Sequence, residues 1–257
     1  MTSRKFRRYF AELGPGLNMH SAEQCAAPAS LIKHDLLPAA LLALTFVTGI
    51  IDAVSFLGLG RVLTAPMTGN VLFLAFAVAG APGFSIARTL TSMLAFLVGA
   101  SLGGRLGVWR AATTRRRWLL TVSVSEAVLL LAAALVSIRL DVGTATPPSH
   151  LYAVIVLTAV AMGLQTATVR RLAVPDLTTT VLTLTLTGLA ADSSLAGGKN
   201  PQLGRRVASV LLMFAGAAIG VLLLRLGLSL PLFLSGVCVL AAAIACAAVP
   251  TSTPPAV

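Results

Sequence analysis

The sequence predicts an all-α membrane protein, a bundle of helices that crosses the bilayer several times. Of its 257 residues, 57% are hydrophobic and only 11% are charged, whereas soluble domains carry about 25% charged residues. Long apolar runs recur between residues 36 and 249, and several approach the roughly 20 residues that span a bilayer as a helix. Together these observations exclude a soluble enzyme, a disordered chain and a disulfide-stabilised scaffold.

Hydrophobicity separates eight apolar segments, six long and two short. The long segments are Leu36–Leu59, Arg88–Val108, Trp118–Ile138, Leu151–Val169, Val207–Leu226 and Leu228–Val249, and the short ones are Pro66–Ala79 and Leu177–Ala191. Each short segment starts at a proline or just after one and carries a polar cluster near its start. At about 1.5 Å per residue, its helical part covers only about half of a roughly 30 Å core. We therefore predict six full spans and two half-spanning or re-entrant helices.

Positive charge indicates how these segments are oriented. The chain has 19 Lys and Arg against 8 Asp and Glu, a formal net charge of +11, which in a soluble protein would suggest nucleic acid. In membrane proteins, however, basic residues collect in cytoplasmic loops. With six spans, 15 of the 19 basic residues fall on one side, whereas eight crossings would put the Arg115–Arg117 run outside. We therefore expect cytoplasmic termini, the lipid bilayer as surroundings, and no nucleic-acid partner.

The charge and hydropathy pattern also divides the chain into three parts. Residues 1–35 contain a basic cluster but no continuous apolar core, so we expect a cytoplasmic N-terminal arm and not a signal peptide. Residues 36–249 form a single transmembrane domain, and residues 250–257 form a short tail.

The transmembrane domain contains two similar halves, about 36–140 and 150–249. The start of the first short segment matches the start of the second 110 residues later, and Gly99-x-x-x-Gly103 matches Gly216-x-x-x-Gly220 at an offset of 117. The four-residue glycine spacing is typical of helices in close contact. Because three full spans is an odd number, we expect the halves to be inverted, as in many transporters whose site lies near the membrane midplane.

Polar residues form a stripe along the first span. Thr45, Thr48, Asp52 and Ser55 lie on one helical face, and a charged Asp at the bilayer centre costs about 2.5–3.5 kcal/mol. Asp52 is therefore either a substrate or proton site or a structural group that accepts hydrogen bonds from the amides of the first short helix. In the second half, Thr158, Gln165 and Thr168 repeat the stripe at an offset of 113, whereas Gly49 and Gly163 are 114 apart, so both registers stay open.

The starts of the two short helices offer further polar groups, which would serve either as a solute site with free backbone N–H groups or as ordinary N-caps. Glu126 lies inside the third long segment and is either a second proton carrier or the partner of a neighbouring polar group. The predicted substrate-binding residues are Asp52, Thr48, Ser55, Thr68, Gly69, Asn70, Gln165, Thr178, Thr179 and Thr180, and the predicted proton-coupling residues are Asp52 and Glu126.

Nothing in the sequence predicts a catalytic or metal centre. The three histidines lie outside the spans, and the chain has no His-Glu-x-x-His motif and no plausible Ser/His pair. We therefore expect neither an enzyme nor a bound cofactor.

The paired motifs resemble those of the YoaK-like family, small bacterial multispanning membrane proteins grouped as a domain of unknown function. The residues that carry the resemblance run from Thr48 to Gly60 and from Met67 to Asn70, with a second signature from Gly163 to Thr183. Pro66 and Thr166 stand where that pattern leads us to expect a more polar residue, often Asn. The resemblance implies a bacterial inner-membrane location and no particular activity.

These observations favour a secondary transporter or facilitator of a small polar solute. The alternative is a non-transporting membrane binding or scaffold protein, with the N-terminal arm recruiting a partner. The sequence leaves open whether the chain forms a homo-oligomer.

The six-span arrangement predicts on which sides the loops lie. In a cysteine-free background, a single cysteine at Gly83 should react with an impermeant maleimide in intact cells, whereas one at Ala112 should react only after the membrane is opened. The reverse pattern would support eight crossings and a parallel repeat.

Overall fold

A computed structural model describes residues 37–109, 115–140, 147–172, 182–198 and 202–248. In these ranges the chain is helical between short connections, and a 3-10 turn at Ser194–Ala196 precedes α7. The helices are α1 Leu37–Gly58, α2 Met67–Val78, α3 Ile86–Trp109, α4 Arg115–Ser137, α5 Pro148–Leu172, α6 Leu182–Ala191, α7 Leu203–Leu224 and α8 Ser229–Ala248.

Helix lengths in the described ranges confirm the prediction of six long and two short apolar helices. Six helices contain apolar stretches of 18 to 25 residues, long enough to cross a membrane. The short helices α2 and α6 have 12 and 10 residues, or about 18 and 15 Å, roughly half of the hydrocarbon core. Several boundaries differ from the prediction: α5 extends beyond both predicted ends, and α7 begins at Leu203 instead of Val207.

Two parallel helix pairs form the framework of the bundle: α1 packs on α7, and α3 packs on α5. In the first pair, a Cβ atom on Gly49 would overlap the carbonyl of Met213. In the second, a Cβ on Gly163 would overlap the carbonyl of Phe96. Backbones this close require glycine at the contact, which confirms the close-approach interpretation of the glycine motifs.

The α1–α7 and α3–α5 interfaces correspond residue by residue. This correspondence decides between the offsets of 113 and 114 for aligning α1 with α5. Gly216 faces the Phe46 carbonyl on α1, and Gly99 faces the Val160 carbonyl on α5. The residues on α1 and α5 are 114 positions apart, and those on α3 and α7 are 117 apart. The alignment of the polar stripe at 113 is therefore wrong. In the register set by the contacts, Asp52 has Thr166 as its counterpart.

The remaining helices complete the bundle around these pairs. Helix α4 packs on α5 and α8, and α8 also packs on α1. Where α4 and α8 cross, the carbonyl of Ala127 lies 3.3 Å from the position that a Cβ on Gly236 would take. The short helix α2 rests on α3, and α6 rests on α7.

A sharp turn follows α1, and the segment after this turn is buried in the protein. Gly60 and Arg61 both adopt the left-handed backbone region, with φ of 83° and 59°, which reverses the chain direction. The segment from Leu59 to Ala65 contains several fully buried residues and no helix. Non-helical backbone is tolerated at membrane depth only where protein or water satisfies its polar groups, so this connection needs internal hydrogen-bond partners.

The glycine contacts make a stability prediction with a matched control on the same helix. Gly99→Ala should destabilise the protein by about 1–3 kcal/mol, because overpacking a close contact forces the helices apart. A Cβ on Gly104 meets nothing within 4 Å, so Gly104→Ala should be neutral or slightly stabilising. Thermal unfolding of the two purified variants checks this, and equal losses would contradict the close approach of α3 and α5.

Candidate functional site

Asp52 lies on α1 in a half-buried position. Its Oδ1 atom is buried and accepts no hydrogen bond from the described residues. The hydroxyl of Ser55 donates to the backbone carbonyl of Asp52 at 3.1 Å and not to the carboxylate. No hydrogen bond joins Oδ1 to the first amides of α2, which belong to the described residues. The alternative that Asp52 accepts hydrogen bonds from the amides of the first short helix therefore finds no support in Oδ1.

One turn earlier on α1, a side-chain hydrogen bond joins the two halves. The Gln165 amide on α5 donates from Nε2 to the Thr48 hydroxyl at 3.2 Å, and that hydroxyl donates to the Leu44 carbonyl at 2.9 Å. Both side chains are buried. The Oε1 atom of Gln165 is also buried and has no partner in the described part of the chain. The structure thus brings together two predicted site residues that are 117 positions apart.

We call Thr48, Asp52 and Gln165 together the Asp52 site. Thr48 and Asp52 are four residues apart on one helix, where Cβ atoms lie about 5–6 Å from each other. Among the described residues, Oδ1 of Asp52 on α1 and Oε1 of Gln165 on α5 are therefore two buried acceptor oxygens without a hydrogen-bond donor. Leaving a buried polar atom unpartnered costs about 1–3 kcal/mol, so such atoms call for a partner other than these side chains, for example an ordered water, an ion or a ligand.

The Asp52 site has no equivalent in the other half. In the register set by the glycine contacts, the counterparts of Thr48 and Gln165 are Met162 and Ile51. Both are apolar and almost completely buried. The polar site is therefore asymmetric, although the surrounding helices correspond.

Asn70, another predicted substrate ligand, has its hydrogen-bonding groups occupied by the protein. Its Oδ1 accepts the Leu63 N–H at 2.9 Å, and its Nδ2 donates to the Leu63 carbonyl and to the Ser92 hydroxyl. Ser92 in turn donates to the same Leu63 carbonyl at 2.6 Å. Asn70 therefore ties the buried α1–α2 connection to α2 and α3, and its role in solute binding stays a prediction.

The other predicted residues of the short helices are spread more widely. Thr68 is exposed in the first turn of α2, and Gly69 is half-buried, with the Leu63 side chain where a Cβ would lie. The remaining three, Thr178, Thr179 and Thr180, lie outside the described residues.

Aromatic side chains bridge the separation between α1 and α2. The rings of Phe56 and Phe73 lie 5.8 Å apart between centroids, and Phe84 lies 5.2 Å from Phe73. The guanidinium of Arg61 lies 5.7 Å from the Phe84 ring. Phe56 follows Asp52 by one helical turn, so this contact lies one turn further along α1 than Asp52. The sequence analysis missed these rings, although the four-residue spacing from Asp52 was a usable signal.

Glu126 is the second buried acid predicted to act. Its side chain is almost completely buried, and Oε1 has no hydrogen-bond partner among the described residues. Helices α1 and α4 do not pack against each other, so the structure does not bring Glu126 to Asp52. In the described ranges no group of three or more His, Cys, Asp or Glu residues could hold a metal ion.

The fold and this site define a polytopic α-helical membrane protein with a buried polar site where its two halves meet. The family described as "Protein of unknown function (DUF1275)" matches residues 40–246, and the chain belongs to that family. The chain is similar to the UPF0700 transmembrane protein YoaK of Bacillus subtilis (strain 168), with 33% identity over 167 residues, which is 65% of this chain and 69% of the relative. No solved structure matches the chain significantly.

The hydrogen bonds of Asn70 predict that its replacement loosens the buried connection. Asn70→Leu should lower stability by about 1–3 kcal/mol, because it leaves both polar backbone groups of Leu63 with fewer partners. A cysteine introduced at the buried Val62 should then react faster with a small maleimide than it does with Asn70 intact.

Thr91→Val provides the matched control. Thr91 lies beside Ser92 on α3 but donates only to the Ala87 carbonyl of its own helix. If the control variant exposes the cysteine as much as Asn70→Leu does, Asn70 does not hold the connection.

Proposed function

We propose that this protein is a secondary transporter or facilitator of a small polar solute, which binds at the Asp52 site. The observation that carries the proposal is the pair of buried, unpartnered oxygens of Asp52 and Gln165 at the α1–α5 crossing. Ionisable groups inside membrane bundles are costly and typically mark solute, ion or proton pathways.

The arrangement of the helices supports the same function. We propose that the two halves are inverted, because each contributes three long helices and one short helix in the same order. Half-length helices that begin inside such a bundle are common in transporters, where site and repeat interface coincide. Here the Thr48–Gln165 hydrogen bond lies between helices of different halves, so relative movement of the halves would change the site.

The two ends of the bundle differ in a way that suggests how a solute enters. Rings of Phe56 and Phe73 bridge α1 and α2, and in the second half their counterparts are Arg170 and Thr183, which are both exposed. We propose that the aromatic contact closes one entrance while the corresponding separation between α5 and α6 provides the other.

The distribution of basic residues supports an orientation. Arg105 near the end of α3, Arg117 at the start of α4 and Arg170 near the end of α5 would share one side in a six-span bundle. Because basic residues favour the cytoplasmic side, we propose a bacterial inner-membrane protein with both termini in the cytoplasm.

Asp52 and Glu126 are the proposed proton carriers. A carboxyl group that alternates between buried and wet surroundings exchanges its proton as it moves. Transport in this scheme requires binding, movement and proton exchange, and no covalent chemistry.

Transport can be tested in proteoliposomes on solid-supported membranes, with current recorded against a panel of small polar solutes. At least one solute should give a saturable current that Asp52→Asn lowers by at least about tenfold and whose pH dependence it changes, because the only carboxylate of the Asp52 site is gone while Glu126 remains. A current and pH dependence unchanged by Asp52→Asn would contradict the proposed site.

Deletion of residues 1–30 separates this proposal from the scaffold alternative. A transporter core should keep its current without the arm. If no solute gives a current but removal of the arm abolishes recruitment of a cellular partner, the scaffold function is correct and the transporter proposal is wrong.

A further inference from the structure

The hydrogen-bonding groups of the Asp52 site define what kind of solute it accepts. Oδ1 of Asp52 and Oε1 of Gln165 are buried acceptors with no partner in the described residues. The only hydrogen of the Thr48 hydroxyl is already donated to the Leu44 carbonyl. The groups of the site that remain free to form hydrogen bonds are therefore mainly acceptors. A ligand that pairs with them must supply hydrogen-bond donors.

The charge balance points in the same direction. In the described ranges no basic side chain forms an ion pair with Asp52, and the arginines lie near helix ends or in connections. Arg206, the buried one, pairs with Asp192 at 2.7 Å. A carboxylate inside a membrane bundle normally has a compensating partner, and the described part of the protein supplies none here.

We propose that the Asp52 site binds a small organic cation that carries N–H donors, of the class of protonated primary amines. This inference rests on the proposed function only for the site's place in a transport path. The ammonium group donates to Oδ1 of Asp52 and to Oε1 of Gln165, since such a group has three donors and no acceptor. Its charge compensates Asp52, and charge-assisted hydrogen bonds of this kind are about twice as strong as neutral ones.

Other solute classes fit these groups less well. An anion would face the ionised Asp52 carboxylate, which pairs with no basic side chain in the described ranges. A neutral solute would leave the ionised form of Asp52 uncompensated in a low-dielectric interior. A calcium ion takes six to eight oxygen ligands, whereas the Asp52 site offers oxygens from only three side chains. The amine is the class that satisfies both the charge and the two acceptors.

Binding can be measured with four matched small probes on the full-length protein in lipid nanodiscs. The probes are ethylammonium, tetramethylammonium, acetamide and acetate, which separate positive charge from N–H donors. A ligand that binds only the folded state raises the midpoint of thermal unfolding in a saturable way. Ethylammonium should give the largest saturable rise, tetramethylammonium and acetamide smaller ones, and acetate none beyond that of sodium chloride at equal ionic strength.

Two variants and one control assign the binding to these residues. Asp52→Asn should abolish the effect of ethylammonium, and Gln165→Leu should weaken its apparent Kd by at least about tenfold. Thr158→Val removes a buried hydroxyl on the same helix as Gln165 that donates only to carbonyls of its own helix, and it should leave the Kd unchanged. Because Asp52→Asn removes a carboxylate without a protein partner, it should fold, and the midpoint without ligand verifies this.

The outcomes separate this inference from the transporter proposal. Saturable binding of ethylammonium that depends on Asp52 supports the inference even if labelled ethylammonium is not transported, and only the transporter proposal then fails. Equal or stronger stabilisation by acetate or acetamide overturns the inference, as does ethylammonium binding that survives Asp52→Asn. If a neutral or anionic solute gives an Asp52-dependent current, the transporter proposal stands and the inference is wrong.

Discussion

The close approach of glycine-lined helix backbones is the constraint on which the rest of this protein depends. Between helices surrounded by lipid there is little hydrophobic driving force for association, so packing and hydrogen bonds must hold them. Gly49 and Gly216 let α1 and α7 touch backbone to backbone, and Gly99 and Gly163 do the same for α3 and α5. One face of α1 is therefore buried against α7, and one face of α5 is buried against α3.

The burial of these two glycine-lined faces explains where the polar residues lie. The faces of α1 and α5 that turn away from the glycine contacts meet each other, and there Gln165 donates to Thr48. Asp52 lies one turn further along the same face of α1. The glycine contacts thus orient the α1 stripe toward the junction of the two halves instead of toward lipid, where a carboxylate would be least stable.

The connection after α1 also places backbone polar groups at membrane depth. Side chains of α2 and α3 supply hydrogen-bond partners for two of these groups. Asn70 and Ser92 together satisfy both backbone groups of Leu63, so these two groups keep their hydrogen bonds without water. The site oxygens of Asp52 and Gln165 receive no such partners. The contrast with the satisfied Leu63 backbone is one physical reason to assign function to the Asp52 site, whose two buried, unpartnered oxygens lie on helices that contact each other.

Much of this architecture follows from the sequence, because hydropathy and segment length determine which helices are long and which are short. The glycine spacing also predicted close contacts correctly. The register of the second half could not be decided from the sequence. Thr158, Gln165 and Thr168 match the first polar stripe at an offset of 113, whereas the glycines match at 114. The role of Asn70 depends on Ser92, 22 positions away, and such a pairing becomes visible only when the helices are placed. The exposure of Thr68 likewise depends on tertiary packing.

Thiol crosslinking between Thr48→Cys and Gln165→Cys tests most directly whether α1 and α5 meet at the Asp52 site. The pair should be made in an otherwise cysteine-free full-length chain in native membranes. Ala53→Cys with Gly220→Cys, whose Cβ positions lie 3.2 Å apart, provides the positive control. We expect the control pair to crosslink on mild oxidation, and the Thr48–Gln165 pair to crosslink with a bifunctional thiol reagent about as long as the glutamine side chain that the cysteine replaces. If the control pair crosslinks and the Thr48–Gln165 pair does not, the account of the site is wrong.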